Sequence, residues 1–248
     1  MISWNSCRNA AAAKVVAATF FLLLICPATF GQALSVLPVN IFLAPGQKAT
    51  SLTVTNQGTT ETAIQIRAFA WSQKDNDDPL TPSSDVVLSP PLFKIAPGAS
   101  QVVRLILREP PQGRESTYRI LVDQVPPLAE PGVVHLVLRL SIPIFAKPTI
   151  RAFPDVQFHL ERDADEIYLV AFNAGLLHEA IRDIVLTTSD GRKLKPDTSA
   201  SPYVLSGATR RWHIAAQDHL PLTSETLQLT ARSDAGAVDQ QVRFVAAH

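Results

Sequence analysis

The sequence predicts an all-β protein built from two sandwich domains. From residue 34 onward, short alternating or apolar runs are interrupted by Gly, Pro and Asn, and no long helical pattern is visible. Two motifs from the first half recur in the same order in the second half. With 46% hydrophobic and 18% charged residues, the chain has enough apolar side chains to form buried cores.

The first half contains five candidate strands separated by turn signals. In the turns, Pro presets φ, and Gly or Asn tolerates positive φ. The turns lie at residues 44–46, 56–58 and 96–98. The candidate strands lie at residues 51–55, 63–71, 101–107, 117–122 and 133–145.

The second half repeats this organisation. Residues 52–58 (LTVTNQG) have a counterpart in residues 169–175 (LVAFNAG), and residues 95–100 have one in residues 204–209. Two copies of one sandwich of about 100 residues correspond to two immunoglobulin-like domains. We place them at residues 34–147 and 148–248. The second set of candidate strands lies at residues 156–160, 167–172, 180–188, 209–214, 226–231 and 238–245.

The N-terminal segment predicts export. Arg8 and Lys14 precede an apolar run at residues 15–25, which is followed by Pro27 and small residues. This order is typical of a Sec signal peptide, which we place at residues 1–33, and it predicts a periplasmic protein. A membrane anchor is the alternative, but the run of about 11 residues is shorter than the roughly 20 of a spanning helix. We therefore expect no stable membrane insertion.

Both cysteines, Cys7 and Cys26, lie in this leader, so the mature chain is expected to have no disulfide. Residues 23–26 resemble a lipoprotein cleavage box, which is a second alternative. Ile25 disfavours it because such boxes require a small residue at that place.

The composition gives no indication of an enzyme, and no cofactor is expected. The 22 basic residues balance the 22 acidic ones, so no nucleic-acid partner is expected. The histidines show no metal-site spacing, and no nucleophile motif is present. The acidic residues 75–78 have two interpretations, a calcium loop and a solvated hairpin tip. The second is favoured because the spaced ligands of a calcium loop are missing.

One candidate strand is unusually long and apolar. Pro143 lies near its end and confines it to a sheet edge or a bulge, because Pro has no N–H for the ladder. A long apolar edge invites pairing with another chain. The alternative is an ordinary last strand with all these side chains in its own core. The apolar residues occupy every second position: Val134, Leu136, Leu138, Leu140, Ile142 and Ile144.

Several segments of the first domain resemble the PapD-like periplasmic chaperones of pilus assembly, in particular the archaic branch that serves spore-coat-U-type fimbriae. The resemblance spans residues 36–148, while the second domain matches mainly in length and strand pattern. The segments that carry it are residues 36–46 (VLPVNIFLAPG), 52–56, 89–98 (SPPLFKIAPG), 114–116, 118–119, 125–127 and 140–145 (LSIPIF).

The resemblance implies a chaperone with two sandwiches in an L or boomerang arrangement. Its donor strand, residues 133–144, completes a pilus subunit that lacks its own final strand. The expected partners are spore-coat-U-like pilins and an outer-membrane usher, with a self-capping homodimer as a further expectation. The side chains expected to enter the subunit are Val134, Leu136, Leu138 and Leu140.

The better-known branch of this family binds the subunit's terminal carboxylate with two basic cleft residues. By alignment, this chain has Asn40 and Pro143 at those places. We expect a substitute among the nearby basic residues, because guanidinium and ammonium groups pair with carboxylate. The candidates are Arg119, Lys147 and Arg139.

A secreted immunoglobulin-like adhesin or carbohydrate-binding module is the alternative function. Such a protein is expected to display aromatic side chains on exposed loops. The chain has 3 Trp and 3 Tyr, and Trp71 lies in an apolar strand where core packing explains it. The sequence therefore favours the chaperone.

Overall fold

The computed structural model describes residues 34–74, 76–126, 132, 136–163, 166–198, 201–214 and 226–245. The regular elements in these ranges are β-strands arranged in four sheets. No helix in the described part of the chain is long and apolar enough to span a membrane. The predicted signal peptide and both cysteines lie outside the described residues.

The first domain is a sandwich of two sheets. One sheet has the order β1-β3-β8-β6, and the other has the order β2-β10-β9-β4-β5, with β7 paired to β4. The strands are β1 (Leu34–Leu37), β2 (Ile41–Leu43), β3 (Ala49–Asn56), β4 (Thr62–Trp71), β5 (Leu80–Pro82), β6 (Val86–Ser89), β7 (Leu92–Ile95), β8 (Ser100–Leu107), β9 (Ser116–Val125) and β10 (Arg139–Ala146).

Alternation along the strands builds the core of this domain. On β8, Val103, Leu105 and Leu107 are fully buried, while the residues between them are exposed. On β9, alternate side chains from Tyr118 to Val122 face the same core. Strands with one buried face and one polar face are what an antiparallel sandwich requires.

The second domain is a smaller sandwich. Its sheets have the orders β11-β12-β16 and β14-β13-β17-β18, with β15 paired to β13, and its core surrounds Trp212. The predicted domain boundary at residues 147/148 falls between β10 and β11. The strands are β11 (Val156–Asp163), β12 (Glu166–Asn173), β13 (Glu179–Thr187), β14 (Lys193–Leu194), β15 (Tyr203–Val204), β16 (Thr209–Ile214), β17 (Thr226–Ser233) and β18 (Gly236–Arg243).

The repeated Asn-x-Gly motif has the same structural role in both domains. The buried Asn56 side chain donates to the carbonyls of Thr60 (2.7 Å) and Ile95 (3.0 Å), and its Oδ1 accepts from the Gly58 N–H (2.9 Å). In each domain an amide thus satisfies backbone groups of two neighbouring turns. Asn173 makes the corresponding three bonds, with Leu177, Val204 and Gly175.

Within the acidic segment at residues 75–78, Asn76 and Asp78 contact the second domain, while Asp75 lies outside the described residues. Asp78 accepts two hydrogen bonds from Arg210 Nη2, at 2.8 and 3.0 Å, and Arg210 is only 1% exposed. Arg210 Nη1 also donates to the Asn76 carbonyl. The prediction of a solvated tip is therefore wrong for Asp78, because a buried guanidinium of the second domain requires a counter-charge. In the described residues, no cluster of His, Cys, Asp or Glu could hold a metal ion.

An aromatic cluster continues the contact between the domains. Phe145, on the outer face of β10, is fully buried, and its ring lies 3.5 Å from that of His178 and 5.1 Å from that of Tyr203. The His178 side chain contacts Glu115 at 2.7 Å. Trp71 packs against the same cluster. One end of the β2-β10-β9-β4 sheet is thus covered by the second domain.

Asp78→Ala should lower the free energy of unfolding by about 3–5 kcal/mol, because it leaves the buried Arg210 without its counter-charge. Urea denaturation of the purified chain measures this. Glu61→Ala is the matched control, since Glu61 forms an exposed ion pair with Lys94, and it should cost about 0–1 kcal/mol. Equal losses of stability in the two variants would contradict the role of Asp78 as the counter-charge of Arg210.

Candidate functional site

Strand β10 is paired on both sides along only part of its length. It pairs antiparallel with β9 from Arg139 to Ala146, but it pairs with β2 only from Ile144 to Ala146. Within the described residues, no strand pairs with residues 139–143 on the side away from β9, and we call these residues the open edge.

The main-chain groups of this edge can be assigned from the ladder. The Gln124 N–H donates to the Leu138 carbonyl at 3.0 Å, so Leu138 faces β9. Because antiparallel pairs alternate, the N–H and C=O groups of Arg139 and Ser141 point to the open side. Pro143 belongs to the same set, and its missing N–H removes no bond to β9. The sequence predicts Pro143 at such an edge.

The apolar ladder of β10 divides into a buried part and an exposed part. Ile142 and Ile144 are in the core of the first domain, and Leu140 is half-buried against that core. Leu138 is 37% exposed and Leu136 is 90% exposed. These two leucines thus do not lie in the core of the first domain. The alternative of an ordinary last strand, with every apolar residue in its own core, is wrong for them. Val134 lies outside the described residues.

The predicted strand at residues 133–145 is too long in one respect. β10 begins at Arg139, and residues 136–138 precede it without a strand assignment. In the register of this pair, the residue opposite Leu136 is Pro126, which has no N–H. The ladder therefore ends where β9 has no further N–H group to donate.

Arg139 is already engaged by a carboxylate. Its Nε donates to Asp123, which also accepts from Arg67 Nη2 at 2.6 Å. Burial raises the pKa of Asp123, but the hydrogen bonds from Arg139 and Arg67 outweigh it, so the net pKa lies below its usual range. Of the predicted anchors, Arg139 is thus neutralised in the free chain.

Lys147 lies at the other end of the strand. It is exposed beyond Phe145, where β10 is already paired with β2, and it faces a cavity of about 440 Å³ that Glu115 and Glu179 also line. Asn40 accepts a hydrogen bond from the Tyr203 hydroxyl at 3.4 Å. Lys147 does not border the open edge, whereas Asn40 directly precedes Ile41, which pairs with Ile144 at the end of that edge.

Arg119 lies on β9, directly opposite Pro143, and its side chain extends across β10 to Ser141 of the open edge. Its Nη1 donates to the Ser141 hydroxyl at 3.2 Å and its Nη2 to the Ser201 hydroxyl of the second domain at 3.4 Å. The guanidinium carbon is 3.9 Å from the centre of the Trp71 ring. A cation from one domain therefore lies between the open edge and the other domain.

The electrostatic environment of Arg119 differs from that of Arg139. Within the described part of the chain, Arg119 forms no ion pair with a carboxylate, and its Nε is buried without a hydrogen-bond partner. Burial lowers the pKa of Arg119, although arginine stays charged at neutral pH. A partly desolvated cation with only hydroxyl partners can gain strongly from a carboxylate.

Residues 33–151 match a family model described as "Pili and flagellar-assembly chaperone, PapD N-terminal domain". This match covers the first domain, which is thus similar to the chaperone family. Chaperone protein LpfB of Salmonella typhimurium strain LT2 is 29% identical over 133 residues, which are 51% of this chain and 55% of the relative. The chain thus spans about half the length of the curated relatives it matches. The predicted resemblance to PapD-like chaperones is confirmed.

Solved chaperone structures show the same fold over most of the chain. A chain of the CsuC–CsuE chaperone–tip adhesion subunit pre-assembly complex from Acinetobacter baumannii has a TM-score of 0.63 at 22% identity, with 87% of this chain and 100% of that chain covered. The complex of SafA pilin with the SafB chaperone from Salmonella enterica has a TM-score of 0.58 at 16% identity, with 88% and 98% covered. The predicted class of two immunoglobulin-like sandwiches is confirmed.

Sequence reasoning missed two residues of this site. Ser141 binds Arg119, and Trp71 is buried against the second domain and not in the core of the first. Strand parity predicts that both side chains point away from the core of the first domain. Ile64 and Ile66 face the core of the first domain, so the odd-numbered Trp71 on the same strand points outward.

Asp123→Asn should lower the free energy of unfolding by about 1 kcal/mol at pH 7, because the two arginines lose a charged partner that is only partly shielded from water. The folded pKa of Asp123 is below its unfolded value of about 3.9, so this contribution exists above that pH and is lost as the pH falls through the folded pKa. Urea denaturation of wild type and variant should therefore converge under strongly acidic conditions. A difference that grows on acidification would contradict this assignment.

Proposed function

We propose that this chain is a periplasmic chaperone that captures a pilus subunit by donating the open edge of β10. One observation carries the proposal: Leu136 and Leu138 are exposed on the same parity as the buried Ile142, next to main-chain groups that no strand of the described residues pairs with. An apolar face and an unpaired ladder on one segment are what β-augmentation requires.

The physical basis is the completion of a subunit's unfinished sandwich. The outward main-chain groups of Arg139 and Ser141 would set the register with a subunit strand. Leu136, Leu138 and Leu140 would fill the subunit's open core, together with Val134. Each buried branched side chain contributes about 1.5–3 kcal/mol, so the contact needs no nucleotide to drive it.

Arg119 is the proposed anchor for the subunit's C-terminal carboxylate. It borders the open edge through Ser141, and it has no carboxylate partner among the described residues. Arg139 is held by Asp123, and Lys147 lies beyond the paired end of the strand. Anchoring of the terminus and donation of the strand would then act on the same subunit from adjacent positions.

Delivery to an outer-membrane usher and service to spore-coat-U-like pilins complete the proposal. Its support is the first-domain resemblance and the fold shared with CsuC–CsuE, which comes from archaic chaperone–usher Csu pili. The export signal predicted at residues 1–33 supports the periplasm. The adhesin alternative gains no support from Trp71 and Trp212, which are both buried.

Replacing Leu136 and Leu138 with Asp should abolish co-purification of a co-expressed spore-coat-U-type pilin, because two charges would have to enter the subunit's apolar groove. The free chaperone should remain folded, since Leu136 is 90% and Leu138 37% exposed. Affinity capture from periplasm and circular dichroism of the variant measure the two effects.

Val137→Asp is the matched control. Val137 is 54% exposed in the same segment but has the opposite parity, so this substitution should retain the pilin. Normal pilin recovery with the double leucine variant, or equal loss with the control, would rule out strand donation through this ladder.

Arg119→Ala should weaken pilin binding at least about tenfold, because a charge-assisted hydrogen bond contributes about 1.5–3 kcal/mol. Arg139→Ala and Lys147→Ala should each change the affinity less than Arg119→Ala does. Dissociation constants from surface plasmon resonance test this order. A larger effect of either control would move the anchor to that residue.

A further inference from the structure

The surroundings of Arg119 form a connected chain of contacts. Among the cation–π contacts of the described residues, the contact of Arg119 with the Trp71 ring is the shortest, at 3.9 Å. The Trp71 indole Nε1 donates to Asp78 Oδ1 at 3.0 Å. The same carboxylate receives both bonds from Arg210. These contacts thus connect the second domain to β9 of the first domain, in the order Arg210, Asp78, Trp71 and Arg119.

The Trp71 ring is the main contact that can locate the Arg119 guanidinium. The two hydroxyl contacts of Arg119 are long, at 3.2 and 3.4 Å, and its Nε has no partner. A desolvated cation–π contact is stronger than a typical neutral hydrogen bond. Trp71 is 3% exposed, so its ring is held firmly.

Asp78 influences this contact through the indole. A carboxylate that accepts the indole N–H increases the electron density of the ring, and it fixes the orientation of the ring. Arg210 in turn holds the carboxylate, because its own side chain is 1% exposed and needs the counter-charge. Each side chain in this series of contacts therefore orients the next one.

We propose that Trp71, Asp78 and Arg210 are positioning residues that hold the Arg119 guanidinium flat in the cleft, with its Nη edge directed to the carboxylate of a bound subunit terminus. This inference rests on the proposed anchoring role of Arg119. It gives the second domain a part in subunit binding without requiring a contact with the donated strand. A residue of the second domain, Arg210, thereby acts on the affinity of the first.

Two conservative variants test the positioning. Trp71→Phe keeps a ring and removes the indole N–H, and Asp78→Asn keeps an acceptor and removes the charge. The probe is the C-terminal peptide of a spore-coat-U-type pilin that co-purifies with the wild-type chain, made with a free carboxylate and with a terminal amide. Both variants should weaken binding of the carboxylate peptide about threefold to tenfold. The affinity for the amide peptide should stay within about twofold of the wild-type value.

The effect should vanish in the Arg119→Ala background, because a positioning residue acts through the side chain it positions. Phe153→Leu is the matched control: Phe153 is 58% exposed and lies under Arg151, at 5.0 Å, so this variant should change the affinity for neither peptide. Equal weakening of the carboxylate and amide peptides, or effects that add to that of Arg119→Ala, would overturn the inference.

A second readout separates this inference from the proposed function. In the free protein, nitrogen relaxation of the Arg119 Nε–H should show a rigid side chain that becomes mobile in Trp71→Phe and Asp78→Asn. Failure of the anchor appears as equal affinity of wild type and Arg119→Ala for the carboxylate peptide. Failure of the positioning alone appears as a normal Arg119→Ala effect with an Arg119 side chain that stays rigid in both conservative variants.

Discussion

The one-sided pairing of β10 is the constraint on which the rest of the site depends. β2 covers only the last three residues of the strand, so the outward main-chain groups of Arg139 and Ser141 have no partner strand among the described residues. An open edge normally costs a protein solubility, and natural proteins cover it, shorten it or charge it. Here Arg139 and Pro143 lie on that edge, while Leu136 and Leu138 remain exposed beside it. The edge is thus charged on one face and apolar on the other, as a surface for a specific partner requires.

The distribution of carboxylates decides which cation of the cleft is available. Asp123 pairs with Arg139 and Arg67, and Asp78 pairs with Arg210, so each of these guanidinium groups already has a carboxylate partner inside the chain. Arg119 faces hydroxyls and an aromatic ring. A guanidinium that is partly desolvated and has no carboxylate partner within the described residues has the most to gain from an incoming carboxylate. The same charges that stabilise the domain interface thereby leave one residue for binding.

The contact between the domains is built from the outer face of the β2-β10-β9-β4 sheet. Phe145 and Trp71 are outward-facing by parity, and both are nevertheless buried because the second domain packs over them. This packing brings Ser201 and Tyr203 to the cleft and places Arg210 against Asp78. The proposed anchor therefore depends on the second domain for its desolvation, although all its main-chain contacts are in the first.

The sequence by itself determined the elements whose signal is local. Strand alternation, the Pro-Gly turns and the repeated Asn56 and Asn173 motifs predict two sandwiches, since period-two burial and turn chemistry depend on adjacent residues. The apolar ladder at Leu136 and Leu138 was likewise visible in the pattern. Only the tertiary structure decided that this ladder divides between core and surface at Leu140, because that depends on how far β9 and β2 extend.

The tertiary structure also decided the roles of the charges. Asp78 was predicted to lie in a solvated hairpin tip, and Arg119, Lys147 and Arg139 were all candidate anchors because each is a basic residue near one strand. Their differences come from partners distant in the sequence, such as Arg210 for Asp78, and from burial by the second domain. A charge interacts through space with whatever the fold brings near it, so no local pattern encodes which cation is left free.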